Sequence, residues 1–227
     1  MIQRCSGRVP KWVPEIVDSS YVFPLWQCEK FYFALPQHTH LQHSGDSTRR
    51  ASTRNLLFDL GAGVYTSGSL KFMVDEYGRR GIRFDRILAW EATEHTARST
   101  YEPMPASSFD IMSYHNVPVN TTVGDKYNPI RTLRAIARPE DFVVLKLDID
   151  PDNRIEEALM AQLLEGEALG LMATLVDEFY YEHHTHLTPM SEMGWRSSLK
   201  LTSALIQDSY TLFHRLREMG VRAHSWI

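Results

Sequence analysis

From Asn55 to the C-terminus, two textures alternate along the chain. Short, dense apolar runs are separated by longer stretches in which apolar residues recur every three or four positions. The runs LLFDL (56–60), FDRILAW (84–90), FDIMSYH (109–115), DFVVLKLDID (141–150), TLVDEFYYE (174–182) and VRAHSWI (221–227) predict strands. Between the first two, Leu70, Met73, Val74 and Tyr77 follow helical spacing, with Ser67 or Ser69 as the expected cap and Gly81 as the stop. Asn128 and Pro129 open another helix, cap then first-turn proline. Ile130, Leu133 and Ile136 or Ala137 form its buried stripe, and Pro139 ends it. Asp152 or Asn153 is the expected cap of a helix lined by Ile155, Leu159 and Leu163, with Glu156 and Glu157 in its first turn. The last helix is expected at about 202–219, with Leu205, Ser209, Leu212, Phe213 and Leu216 inward and Gly220 closing it.

Residues 1–54 do not share this alternation. Prolines at 10, 14, 24 and 36 and the aromatics Trp12, Tyr21, Phe23, Trp26, Phe31, Tyr32 and Phe33 follow no clean period, so residues 1–43 read as an irregular or partly helical arm. SGDSTRRASTR (44–54) has no large apolar side chain and reads as an exposed linker. Arg49-Arg50-Ala51-Ser52 within it resembles a basic-directed kinase site, but a solvated loop is much the stronger reading. The expected organisation is an arm and linker over 1–54 and a domain over 55–227.

Strands alternating with helices imply an α/β fold: a doubly wound, mostly parallel sheet with helices on both faces. VRAHSWI is expected as an antiparallel closing strand. Ligands of such sheets bind beyond the C-terminal ends of the strands. That rule singles out Asp59 to Gly63, Glu91, His115 and Asn116, Asp148 to Asp150, and Glu182 to His186.

Composition narrows the function classes. The 227 residues are 43% apolar and 23% charged, with a net charge of −4. That balance argues against a generally basic nucleic-acid binder, a local basic patch aside, and no nucleic-acid partner is expected. Two cysteines, Cys5 and Cys28, exclude a disulfide-dense scaffold and a four-cysteine zinc site. No run approaches the roughly 18 apolar residues of a membrane span. MIQRCSGRVPKW lacks the apolar core of a signal peptide, so a soluble, cytoplasmic protein is expected.

The chemistry begins at Asp59-Leu60-Gly61-Ala62-Gly63, between a predicted strand and a predicted helix. Glycines there let the backbone turn sharply and approach a ligand. A dinucleotide fingerprint wants G-x-G-x-x-G. Here Thr66 occupies the third position and the next glycine is Gly68. Glu91 ends the second strand, 28 residues after Gly63. A carboxylate there can accept hydrogen bonds from vicinal hydroxyls. This D-x-G-x-G pattern with a following acid resembles motif I of S-adenosylmethionine-dependent methyltransferases. The resemblance implies Asp59 near the methionine part of the cofactor, Gly61, Ala62 and Gly63 against its adenosine, and Glu91 on its ribose. Asn116, at the end of the third strand, completes the expected cofactor set.

DFVVLKLDID resembles more closely the D-F-x-x-L-K-x-D-x-E-G block of FkbM-type methyltransferases. Lys146 and Asp148 match, Asp150 replaces the Glu and Pro151 the Gly, and Glu156 or Glu157 stands for the family's helix Glu. Glu182-His183-His184 resembles the family's E-x-H, and the closing strand after Glu218-Met219-Gly220, with Trp226, fits as well. The resemblance covers about residues 55–227. It implies a Rossmann-like methyltransferase fold, S-adenosylmethionine as cofactor, and O-methylation of a small-molecule or carbohydrate-like acceptor.

The catalytic candidates lie at the ends of the fourth and fifth strands. Lys146, Asp148 and Asp150 alternate and would share one face, where Lys146 could neutralise either carboxylate. Glu182 and His184 would share a face of the next strand if it stays extended. Asp148 and His184 are expected to reach one acceptor oxygen, with Glu182 orienting the histidine. The alternative is a divalent metal on Asp148, Asp150 and His184 that polarises the acceptor. His38, His40 and His43 in the arm form a second, weaker ligand set. The arm more readily supplies Trp26, Tyr32 and Phe33 as a lid or as a homodimer contact. Competing readings are a nicotinamide oxidoreductase, a non-catalytic binding module of the same fold, and a metal-dependent hydrolase at the Asp148/His184 edge.

Overall fold

A computed structural model describes residues 2–4, 12–14, 54–66, 68–149, 153–165, 170–186 and 202–226. The chain divides into two compact units, 1–38 with 148–227, and 39–147.

In the 39–147 unit, β3 (Asn55–Leu60), β4 (Arg86–Trp90), β5 (Met112–His115) and β6 (Phe142–Leu147) run parallel in the order β5-β4-β3-β6. The order reverses at β3. Right-handed crossovers moving in opposite directions carry their helices to opposite faces, so α1 (Ser69–Arg79) and α4 (Pro129–Ile136) cover the two sides. That covering explains why β3 and β6 are apolar on both faces, with Leu56, Leu57, Phe58, Leu60, Val143, Val144 and Leu147 fully or almost fully buried. Two short helices, α2 (Ala97–Tyr101) and α3 (Ala106–Phe109), connect β4 to β5.

The helix ends follow the chemistry of their residues. Asn128 Oδ1 accepts from the Ile130 and Arg131 amides, and Pro129 follows at the first position, as expected. At the end of α1, Gly81 has φ 78°, its amide meets the Gly78 carbonyl, and the Ile82 amide reaches the Tyr77 carbonyl. That is a Schellman closure. The α1 cap differs from expectation. Gly68 occupies it without a side-chain bond, Ser69 turns its hydroxyl inward to Asp59, and Ser67 lies outside the described residues. FDIMSYH is also not one strand. Phe109 ends α3, and β5 begins at Met112, because Pro105 starts a helical turn that consumes Phe109.

In the other unit, β1 (Ile2–Arg4) pairs antiparallel with β2 (Trp12–Pro14). The aromatics Trp26, Tyr32 and Phe33 and the linker 44–53 lie outside the described residues. Helix α5 (Asn153–Leu164) buries Leu159 and Leu163 as expected. The run TLVDEFYYE divides: α6 (Gly170–Leu175) takes its first two residues, and β7 covers Glu178–Tyr181. Helix α7 (Ile206–Glu218) is shorter than expected, with Leu205 outside it and exposed. It closes at Gly220 as α1 does at Gly81, with the Val221 amide on the Leu216 carbonyl.

The closing strand β8 (Arg222–Ser225) pairs parallel with β7, where an antiparallel strand was expected. The reason is the 13-residue α7. A helix between two strands returns the chain to the end where it began, whereas an antiparallel partner follows from a tight hairpin. On one face of this pair, Glu178 receives Arg222 Nη2 at 3.0 Å and the Tyr180 hydroxyl at 3.1 Å, and lies 3.0 Å from His224 Nε2. All four side chains are buried. With β3 to β6 parallel in one unit, β7 and β8 parallel in the other, and helices between successive strands, the fold is α/β and Rossmann-like. Among the described residues, no helix is long and apolar enough to cross a membrane.

Candidate functional site

The sheet order reverses between β3 and β6, so a crevice is expected at their C-terminal ends. There the backbone leaves β3 in a tight glycine turn. Gly61 and Gly63 have φ 85° and 61°, a region unfavourable to other residues. The Gly61 and Ala62 amides both donate to the Trp90 carbonyl at 3.0 Å, which pins the turn onto the end of β4.

Glu91 completes that attachment. Its Oε2 accepts the Gly63 amide at 2.7 Å and its Oε1 accepts the Thr93 amide at 2.6 Å. A carboxylate offers about four lone-pair sites, so two remain on this half-buried group. From β5, the Tyr114 hydroxyl donates to the Gly63 carbonyl at 2.7 Å. Burial, then Glu91, raises the Tyr114 pKa above its ordinary value, which keeps that donor protonated.

Asn116 is spent on shaping the neighbouring loop. Its Oδ1 accepts the His95 amide at 2.8 Å, and its Nδ2 donates to the Glu91 and Thr93 carbonyls at 2.9 and 2.6 Å. Asp59 lies underneath the turn and is fully buried. Its Oδ2 accepts the Ser69 hydroxyl at 2.6 Å, and its Oδ1 faces Lys146 Nζ at 3.2 Å. The same Nζ donates to the Gly61 carbonyl at 3.0 Å. Asp59 and Lys146, paired in register across β3 and β6, therefore support the glycine turn from below.

Gly68 was not singled out by sequence reasoning, although it belongs to the turn. A Cβ there would collide with the Ala62 carbonyl oxygen and come within 3.0 Å of the Val64 carbonyl oxygen. The signal was present as the glycine five residues after Gly63. It sits outside the dinucleotide spacing, so that template passed over it.

The other candidates belong to the unit containing residues 148–227 and form a separate group. Strand β6 ends at Leu147, so Asp148 lies just past it and does not extend an alternating face; Asp150 is outside the described residues. Asp148 Oδ2 accepts the indole Nε1 of Trp226 at 2.9 Å. Strand β7 ends at Tyr181, so Glu182 and His184 lie in the irregular segment after it. They still meet: His184 Nε2 is 3.6 Å from Glu182 Oε2. The opposite ring nitrogen, Nδ1, is 3.5 Å from Glu156 Oε2, and Glu156 Oε1 accepts the Ile149 amide at 2.7 Å. Of the two adjacent acids Glu156 and Glu157, Glu156 is the one buried against the histidine.

Burial of Glu156 pushes its carboxyl up to about 7, with His184 and the Ile149 amide working against the shift. Burial, with His184 beside it, pushes His183 down to about 4. Tyr181 is raised well above its usual range by burial and by Glu156, Glu157 and Glu182. Among the described residues, no group of three or more histidine, cysteine or acidic side chains is placed to hold a metal ion. His38, His40 and His43 lie outside those residues.

No protein-family model matches the chain, and neither the curated proteins nor the solved structures give a significant match.

Proposed function

We propose that the chain is an S-adenosylmethionine-dependent methyltransferase that methylates a hydroxyl of a small-molecule or carbohydrate-like acceptor. The observation that carries this reading is the contact between Glu91 and the Gly63 amide, at the glycine turn of a parallel sheet. It joins the two elements of the cofactor motif, and it leaves carboxylate lone pairs free for vicinal ribose hydroxyls.

The chain's residues fit such a cofactor at the turn. Gly61 and Gly63 leave the backbone uncovered by side chains, and Glu91 would hold the ribose. Asp59 would act from beneath, by fixing the turn through Lys146 and Ser69, because it is fully buried. When bound, the cofactor supplies an electrophilic methyl group. The chain's own task is to remove the acceptor proton, for which Asp148 and His184 are the proposed groups, with Glu182 beside the imidazole. Alanine at either should lower transfer about 10²-fold and leave cofactor binding intact.

A second reading, a nicotinamide dinucleotide enzyme, is favoured by one observation: β8 is parallel to β7, without an antiparallel closing strand. Thr66 in place of a third glycine counts against it. A thermal-shift panel with S-adenosylmethionine, its demethylated product and NAD separates the two. A ligand at 100 times its dissociation constant stabilises by about 2.7 kcal/mol. Stabilisation by S-adenosylmethionine and its product, with none from NAD, supports methyl transfer. A response to NAD alone overturns it.

A further inference from the structure

We infer that Glu156 is the positioning residue of His184, holding a proton on Nδ1 so that Nε2 is the nitrogen left to accept one. The inference rests on the methyltransferase reading for the use of that base, and on geometry alone for the tautomer.

Neutral imidazole has one protonated and one bare nitrogen, and its neighbours decide which is which. On the Nδ1 side, His184 meets Glu156, a side chain almost fully withdrawn from solvent. On the Nε2 side it meets Glu182, which is partly exposed. The two carboxylates are therefore unequal. Glu182 keeps some contact with solvent. Glu156 has almost none, and its other oxygen is fixed by the Ile149 amide at 2.7 Å. A buried acceptor without a donor carries a desolvation cost, and Nδ1–H is the donor in front of Glu156 Oε2. The same glutamate thus binds the backbone one residue after Asp148 and the ring of His184. It couples the two proposed proton-handling groups through one side chain. Other titratable groups around it, Asp148, Glu157, Tyr181 and His183, act at longer range.

This arrangement assigns Glu182 a different part from the orienting one expected of it. It stands at the nitrogen that takes the proton, on the more open side, and is suited to pass that proton to solvent.

The test is the tautomer of His184 in ¹⁵N-histidine-labelled full-length protein, read from two-bond ¹H–¹⁵N correlations at about pH 8.5, where the Glu156 carboxyl is ionised. The assignment comes from the spectrum of H184N. Wild type should show Nδ1 protonated. Glu156→Gln presents an amide donor to Nδ1 and should move the proton to Nε2, while Glu182→Gln should leave it on Nδ1. A wild-type spectrum with the proton on Nε2 overturns the proposal without any variant. So does a Glu156→Gln spectrum that keeps the wild-type tautomer. A folded Glu156→Gln protein is recognised by a single cooperative melting transition. Failure of S-adenosylmethionine to stabilise the wild type would remove the methyltransferase reading and leave the tautomer result standing, so the two failures are distinguishable.

Discussion

Lys146 Nζ lies 3.2 Å from Asp59 Oδ1, and neither side chain is exposed to solvent. Removing one member of such a pair leaves a buried charge uncompensated and costs about 3–5 kcal/mol. Lys146→Met should therefore lower the unfolding free energy by about that amount. The double variant Lys146→Met, Asp59→Asn should recover a large part of it, since no net charge is then buried. Urea denaturation measures both. A single variant as stable as the parent would show that the pair does not support the turn.

Glu91 holds two backbone amides, so its loss should be felt before any ligand is added. Hydrogen bonds to a charged group contribute about 1.5–3 kcal/mol each, and less where the group is half exposed. Glu91→Ala should destabilise the unliganded protein by about 1–3 kcal/mol on that scale and abolish the thermal shift given by S-adenosylmethionine. Glu91→Gln should keep most of the stability and lose most of the shift. A full shift in Glu91→Ala would remove this residue from the cofactor site.

Two glycines should respond in opposite directions. Gly68→Ala drives a methyl group into the Ala62 carbonyl and should cost about 1–3 kcal/mol, with displacement of the turn. Gly78, within α1, has nothing within 4 Å of an added Cβ. Gly78→Ala should stabilise by about 0.4–1 kcal/mol through the unfolded chain. Thermal unfolding of the two variants side by side checks the contrast.

Glu156 and His183 give opposing pH dependences. The folded pKa of Glu156, about 7, exceeds its ordinary value of 4.5, so its contribution is fully present below pH 4.5 and is lost as pH rises through 7. The folded pKa of His183, about 4, lies below its ordinary 6.5, so its contribution is present above pH 6.5 and is lost as pH falls through 4. Each has a slope of at most about 1.4 kcal/mol per pH unit. Glu156→Gln should leave stability rising more steeply with pH between 4.5 and 6.5. His183→Asn should leave it falling with pH up to about 7. Denaturation midpoints across that range decide the matter, and parallel curves for all three proteins would refute both assignments.

Much of the architecture was legible because its signals are local. The apolar run at 56–60, the Asn128-Pro129 entry and the glycines at 81 and 220 each act within a few residues. The glycine turn and Glu91 were legible for a similar reason, being punctuation at strand ends. The direction of β8 was not, because alternation in VRAHSWI states that a strand exists and not which way its neighbour runs. Asp59 read as a ligand-facing acid, but its partners Lys146 and Ser69 are brought to it only by the sheet and by α1. The choice between Glu156 and Glu157 was open for the same reason. Only the turn of α5 decides which of two adjacent carboxylates faces Ile149 and His184. His183 and His184 are adjacent in sequence, yet one stacks on Tyr181 and the other sits between two glutamates.

The buried quartet of Glu178, Tyr180, Arg222 and His224 fixes how the last strand is added. Side chains alternate between faces, so sliding β8 by one residue would turn Arg222 and His224 to the other side of the sheet. Glu178 would then be stranded without its arginine, and the Arg222 guanidinium would face apolar packing. Apolar strands tolerate a slip because one branched residue replaces another. Here the ion pair acts as a key, accepting Glu178 opposite Arg222 and Tyr180 opposite His224 and rejecting the neighbouring alignments. Strand β8 thus meets β7 with its alignment already specified. Trp226, two residues beyond His224, is delivered to Asp148 by that same alignment.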